Sequence, residues 1–144
     1  MSDSLRKQIL LVEDHPGDIT LTRRAFQRLS TPNDLHVVVD GVEAMAFLQQ
    51  VGRFTDAPRP DLMLLDLNMP RKDGREVLRE VALDVVLKTI PIIILTTSSA
   101  EHEVASAYTL CANSYIVKPV SFEDFMGVIK AIESYWFGTA LIPK

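Results

Sequence analysis

Several structural classes need features that this sequence lacks. It holds one cysteine, Cys111, so no intrachain disulfide can form, and that usage fits a reducing compartment. No basic tract occurs, and the net charge of −4 at pH 7 argues against a nucleic-acid partner. No apolar stretch approaches the length of a membrane span, and Met1 to Gln8 lacks the apolar core of a secretory signal. A cytoplasmic protein with no membrane partner is expected. Disorder is excluded by a hydrophobic content of 47%. A chain of 144 residues fits one domain, able to bury about two-thirds of its unfolded surface.

What the sequence does contain is a set of short apolar runs that each end in polar residues. Ile9-Leu10-Leu11-Val12 meets Glu13-Asp14, and Leu62-Met63-Leu64-Leu65 meets Asp66. Ile92-Ile93-Ile94-Leu95 meets Thr96-Thr97-Ser98, and Tyr115-Ile116-Val117 meets Lys118-Pro119. Such runs suit strands buried on both faces, as in a parallel sheet covered by helices. Ligands of such sheets bind outside the carboxyl ends of the strands, so the four ends are expected to converge.

Segments of helical period alternate with these strands. Ile19, Thr22, Phe26 and Leu29 mark one helix face, while Arg23, Arg24 and Arg28 read as solvated charges on the other side. Ser30 to Asp34 is expected as a turn before a second strand, His36 to Val39. Asp40 with Glu43 resembles a capping box opening a helix over Val42 to Val51, with Met45 and Leu48 inward. After the loop Gly52 to Pro60 and the strand ending at Asp66, a helix is expected over Arg75 to Val86. It carries Val77, Leu78, Val81 and Val85 at helical spacing. Ser98 with Glu101 marks the next helix, with Val104, Tyr108 and Cys111 inward. Ser114 to Val117 is the fifth strand, and Ser121 with Asp124 opens the last helix, Phe122 to Tyr135. No repeat or second domain is evident. The repeated β-α order predicts an α/β fold: a doubly wound, three-layer sandwich around a five-stranded parallel sheet with right-handed crossovers.

Glu13, Asp14 and Asp66 together would repel one another, and a divalent cation relieves that repulsion. Magnesium prefers oxygen ligands and takes one or two carboxylates, so Asp14 and Asp66 fit direct ligation and Glu13 fits ligation through water. Lys118 adds a charge that a plain metal site does not require. It suits pairing with Asp66 at rest and with phosphoryl oxygens afterwards. Lys118-Pro119 admits a cis peptide bond, which would redirect the loop. Thr96 suits a hydrogen bond to a phosphoryl oxygen, or else a helix cap. His15 reads as a solvated loop histidine.

In this order and spacing, Glu13-Asp14, Asp66, Asn68-Met69-Pro70, Gly74, Thr96 and Lys118-Pro119 resemble the receiver domain of bacterial response regulators, a flavodoxin-like fold. The resemblance runs from about Lys7 to Tyr135. It implies transfer of phosphate from a histidine kinase phosphohistidine to Asp66, with Mg2+ held by Asp14, Asp66 and the main-chain carbonyl of Asn68. Thr96 and Lys118 would contact the acyl phosphate, and Tyr115 matches the family's switch aromatic. Such a protein assists its own phosphorylation and dephosphorylation but is not otherwise an enzyme. The residue after Thr96 is usually small in this family, whereas here it is Thr97.

The stretch Asn68 to Arg75, the long loop before Asp61 and the Tyr135-Trp136-Phe137 ending resemble a narrower group, the single-domain regulators paired with phytochrome-type histidine kinases. Arg23, Arg24 and Arg28 would then be candidates for docking the kinase. Residues 1–135 read as the receiver and 136–144 as a tail, with no DNA-binding module following. Phe125, Met126, Val128, Ile129, Ile132, Tyr135, Trp136 and Phe137 cover more than one helix face, which favours homodimerisation through the C-terminal region over a tail folded on its own domain. Three alternatives stand beside this reading. A magnesium-dependent phosphatase with an aspartyl nucleophile would want an acid where Asn68 stands. A pseudo-receiver that only binds partners would not need the acids. A flavin module would want a Ser/Thr/Gly-rich phosphate loop after the first strand.

Overall fold

The computed structural model describes residues 6–67, 69, 72–96 and 114–139. The chain runs β1 (Lys7–Val12), α1 (Pro16–Gln27), β2 (Asn33–Val38), α2 (Gly41–Gln49), β3 (Leu62–Leu65), α3 (Gly74–Ala82), β4 (Ile92–Thr96), β5 (Ser114–Val117) and α4 (Phe122–Ile132). A π-helical stretch, Glu133–Thr139, continues α4. All strands are parallel, in the order β2-β1-β3-β4-β5. This is the doubly wound order, with its reversal between β1 and β3. The helix expected from Ser98, with Val104, Tyr108 and Cys111, lies outside the described residues.

Period-two alternation divides the core between the two sheet faces. Leu10, Val12, Met63, Leu65, Ile92 and Ile94 lie in one cluster with Met45, Leu48, Val77 and Leu78 of α2 and α3. Ile9, Leu11, Leu62, Leu64, Ile93 and Leu95 pack with Phe26 of α1 and with Phe125, Met126 and Ile129 of α4. Both faces are therefore covered, which is why the strands read as unbroken apolar runs.

Two helix starts, those of α2 and α4, follow the expected caps. The Asp40 carboxylate accepts from Glu43 N at 2.9 Å, and Glu43 Oε1 accepts from Val39 N at 3.0 Å. Gly41 donates its N–H to Lys72 O at 2.8 Å, and a Cβ there would overlap the Lys72 main chain. The start of α2 thus seats the end of the β3–α3 loop. Ser121 Oγ accepts from Asp124 N at 3.1 Å.

Two expectations need correction. The second strand begins at Asn33, inside the segment expected as a turn. The α3 helix stops at Ala82, so Val85 is not on its inner face and is 76% exposed. Asp84 Oδ1 instead accepts from the N–H groups of Val86 and Leu87 at 2.9 Å each. That side chain offers the backbone an alternative to the helix, and the turn buries Leu87 where Val85 was expected. Leu64→Ala, at a fully buried site, is expected to cost about 2–5 kcal/mol in urea unfolding, and Val85→Ala less than about 0.5 kcal/mol.

Candidate functional site

Strand register brings the polar ends level. Val12 lies opposite Leu65, Leu65 opposite Ile94, and Thr96 opposite Val117. The residues that follow inherit that alignment. Asp66 N donates to Val12 O at 3.1 Å, and Lys118 N donates to Thr96 O at 2.7 Å. Asp66 and Glu13 therefore flank the point where the strand order reverses, the usual ligand crevice of this architecture. Gly74, at the start of α3, comes so close that a Cβ would stand 2.5 Å from Asp66 O and 2.8 Å from Leu67 Cα. Only glycine lets α3 approach the strand end in this way.

Glu13, Asp14 and Asp66 each offer a carboxylate oxygen, all within 4.8 Å of one another. Three hard oxygen donors this close fit a divalent cation, and the donor set is the right chemistry for one. Asn68, whose carbonyl was expected to complete the set, lies outside the described residues, as does Thr97. The acids line a cleft of about 410 Å³ together with His15, Asp18 and Lys118. A second hollow of about 420 Å³ opens between α1 and the start of β2, away from the strand ends.

Lys118 is more deeply engaged than the sequence suggests. Its Nζ lies 2.5 Å from Glu13 Oε1 and 2.8 Å from Asp18 Oδ2, with Asp66 Oδ2 farther away at 3.6 Å. The expected resting pair with Asp66 is thus the longest of three contacts. The peptide bond before Pro119 is trans, not the cis form considered above. Asp18 was missed in the sequence. Its signal is only an acid in the first turn of α1, where acids are common for reasons of the helix dipole.

Burial pushes the Glu13 carboxyl up to about 7, against the lowering effect of Lys118 and with a further push from Asp66. Burial works to lower the Lys118 pKa, but the hydrogen bonds it donates to Asp18 and Glu13 and the charges of Glu13 and Asp66 outweigh it, and the pKa stands above its usual value. Thr96 is fully buried, and its Oγ1 has no hydrogen-bond partner, the one such atom among the described residues.

The remaining candidates are placed as follows. His15 is exposed and caps α1, its Nδ1 accepting from Asp18 N at 3.2 Å. Tyr115 is half-buried and packs against the core beneath α2 and α3, the sheet face that Thr96 shares by alternation with Ile94. Arg24 and Arg28 are not simply solvated, since both guanidiniums sit over the Phe122 ring, 5.2 and 5.0 Å from its centre. Trp136 and Phe137 pack against the core beneath α1 and α4, while Tyr135 stays 55% exposed.

Because the Glu13 pKa is higher in the folded state than its ordinary value of 4.5, the fold binds that proton more tightly. The associated stability is complete below about pH 4.5 and is lost as pH rises through about 7. In EDTA the melting temperature is expected to fall between about pH 5 and 8, and less steeply in Glu13→Gln. Equal slopes in the two proteins would contradict the assignment.

The family model described as "Response regulator receiver domain" matches residues 9–130. Response regulator Rcp1 of Synechocystis sp. is 44% identical over 137 residues, 95% of this chain and 93% of its own length. Among solved structures, the phosphorylated cyanobacterial phytochrome response regulator RcpA matches with a TM-score of 0.92 and 45% identity, covering 96% of this chain and 99% of that one. The Mn2+-bound form of Rcp1 matches with a TM-score of 0.89 and 43% identity over the same shares. Acids at the switch point, a lysine among them and a buried hydroxyl on the neighbouring strand thus occur on a chain that belongs to the response regulator receiver domain family.

Proposed function

We propose that the chain accepts a phosphoryl group from a histidine kinase phosphohistidine onto Asp66. The observation that carries this reading is the Thr96 hydroxyl. A buried hydroxyl without a partner costs about 1–3 kcal/mol, and a phosphoryl oxygen at the adjoining strand end would relieve that cost. Lys118, at the end of the adjoining strand β5, supplies a second contact.

Asp66 attacks phosphorus through a carboxylate oxygen. The new P–O bond forms as the P–N bond breaks, and its electron pair stays with the imidazole, which leaves neutral when its other nitrogen carries a proton. Lys118 and Thr96 meet the charge on the transferred oxygens. Glu13, Asp14, Asp66 and the Asn68 carbonyl are the proposed holders of Mg2+, with Glu13 acting through water. When bound there, the ion would offset negative charge on the phosphoryl group. The Mn2+-bound form of Rcp1 supports a divalent ion in this pocket. Because the protein needs only position and charge for this chemistry, it assists its own phosphorylation and dephosphorylation.

The signal leaves through Thr96 and Tyr115, which share a sheet face. Drawing Thr96 toward phosphate shifts the population of Tyr115 inward, in proportion to the differential contacts of the two states. RcpA is described as a phytochrome response regulator, so a phytochrome-type kinase is the proposed partner, in the cytoplasm. A C-terminal homodimer contact also belongs to this reading, with a receiver over 1–135 and a tail over 136–144. Trp136 and Phe137 rest on the chain's own core, which leaves Tyr135 as the exposed aromatic for that contact.

Incubation with acetyl phosphate and Mg2+, followed by intact mass, is expected to give one retained phosphoryl group that Asp66→Asn abolishes. Turnover without retained label would point to a phosphatase instead. Light scattering at micromolar concentration is expected to report a dimer that Tyr135→Ser weakens. A monomeric wild type would remove the dimer from the account.

A further inference from the structure

The Lys118 ammonium carries three donors. Glu13 Oε1 takes one at 2.5 Å and Asp18 Oδ2 another at 2.8 Å, which leaves one hydrogen on the side of Asp66 Oδ2, 3.6 Å away. That last separation is too long for a hydrogen bond. A phosphoryl group on Asp66 carries its oxygens beyond the carboxylate, toward that hydrogen.

Asp18 is itself firmly held. Its N–H donates to His15 Nδ1 at 3.2 Å, and its carbonyl accepts from the buried Thr22 hydroxyl at 2.7 Å. The carboxylate therefore meets Lys118 from a fixed point on the first turn of α1. A lysine side chain loses substantial rotamer freedom when fixed, and an ammonium with one acceptor can still pivot about it. Two acceptors on different elements, β1's end and α1, stop that rotation.

We propose that Asp18 is a positioning residue of the phosphoryl site: with Glu13 it orients Lys118 so that the third ammonium hydrogen faces the group arriving on Asp66. The proposal rests on Asp66 being the phosphoacceptor. It assigns a role in the transfer to a residue that does not touch the transferred group.

The test uses the full chain, acetyl phosphate and MgCl2, with phosphorylation followed by intact mass. In that reaction an Asp66 oxygen bonds to phosphorus while the P–O bond to acetate breaks, and acetate leaves with the electron pair. Asp18→Ala removes the acceptor, whereas Asp18→Asn keeps a neutral carbonyl oxygen. The rate at saturating acetyl phosphate is expected to fall about tenfold in Asp18→Ala and by less in Asp18→Asn. The half-saturating concentrations of acetyl phosphate and Mg2+ are expected to stay within about twofold of wild type. A merely structural role would lower the melting temperature without that split. The slowly exchanging Lys118 ammonium resonance is expected in wild type and lost in Asp18→Ala.

A saturated rate unchanged within about twofold in Asp18→Ala overturns the proposal. A faster rate also overturns it, because Asp18 would then be withholding Lys118. Both outcomes leave Asp66 labelling in wild type intact. Absence of label on wild-type Asp66 overturns the proposal together with the phosphoacceptor reading beneath it.

Discussion

Three carboxylates, those of Glu13, Asp18 and Asp66, stand around the ammonium of Lys118 while Asp14 lines the same cleft, and the fold must hold that excess of negative charge at the edge of its sheet. The position follows from topology. At the reversal between β1 and β3 the connections depart to opposite faces, so no helix covers the carboxyl ends there. A crevice results, and Glu13 and Asp66 flank it because Val12 and Leu65 are in register. Burial holds the Glu13 carboxyl at about 7, with a smaller push from Asp66, while the surrounding acids raise the pKa of Lys118. Three of these acids, Glu13, Asp14 and Asp66, lie close enough together to fit a divalent cation.

The rest of the structure keeps that edge rigid. Two apolar clusters clamp the sheet from both sides, so the strand ends have little freedom to spread. Gly74 lets α3 rest on the Asp66 main chain, and Gly41 seats the Lys72 end of the same loop against α2. On the other face, Glu133 Oε2 accepts from Thr31 N at 2.7 Å and ties the α1–β2 connection to the end of α4. The scaffold thus fixes the acids from β1, α1 and β3, and the lysine arrives from the loop after β5.

Much of this was legible in the chain. Unbroken apolar runs identified β1, β3 and β4, because burial on both faces removes the alternation that one wet face would impose. Asp40 with Glu43 marked the start of α2 through local hydrogen bonding alone. The failures have physical causes as well. Val85 keeps helical spacing, yet Asp84 turns the chain first by capping two N–H groups. Asp18 looks like any first-turn acid, and its significance depends on a lysine 100 residues away. The stacking of Arg24 and Arg28 on Phe122 likewise joins the first helix to the last. The trio Glu13, Asp14 and Asp66 was readable because strand ends of a doubly wound sheet converge by rule, whereas contacts between helix surfaces follow no such rule.

Two features meet at the strand ends: a buried hydroxyl that lacks a partner and an ammonium with one hydrogen unspent. A phosphoryl group on Asp66, as proposed, would engage both. A crystal structure of the chain with Mg2+ and beryllium trifluoride tests that claim most directly. The fluoride group is expected on Asp66, with one fluorine hydrogen-bonded to Thr96 Oγ1 and another to Lys118 Nζ, which keeps its contacts with Glu13 and Asp18. A fluoride group bound elsewhere, or a Thr96 hydroxyl still without a partner, would contradict it.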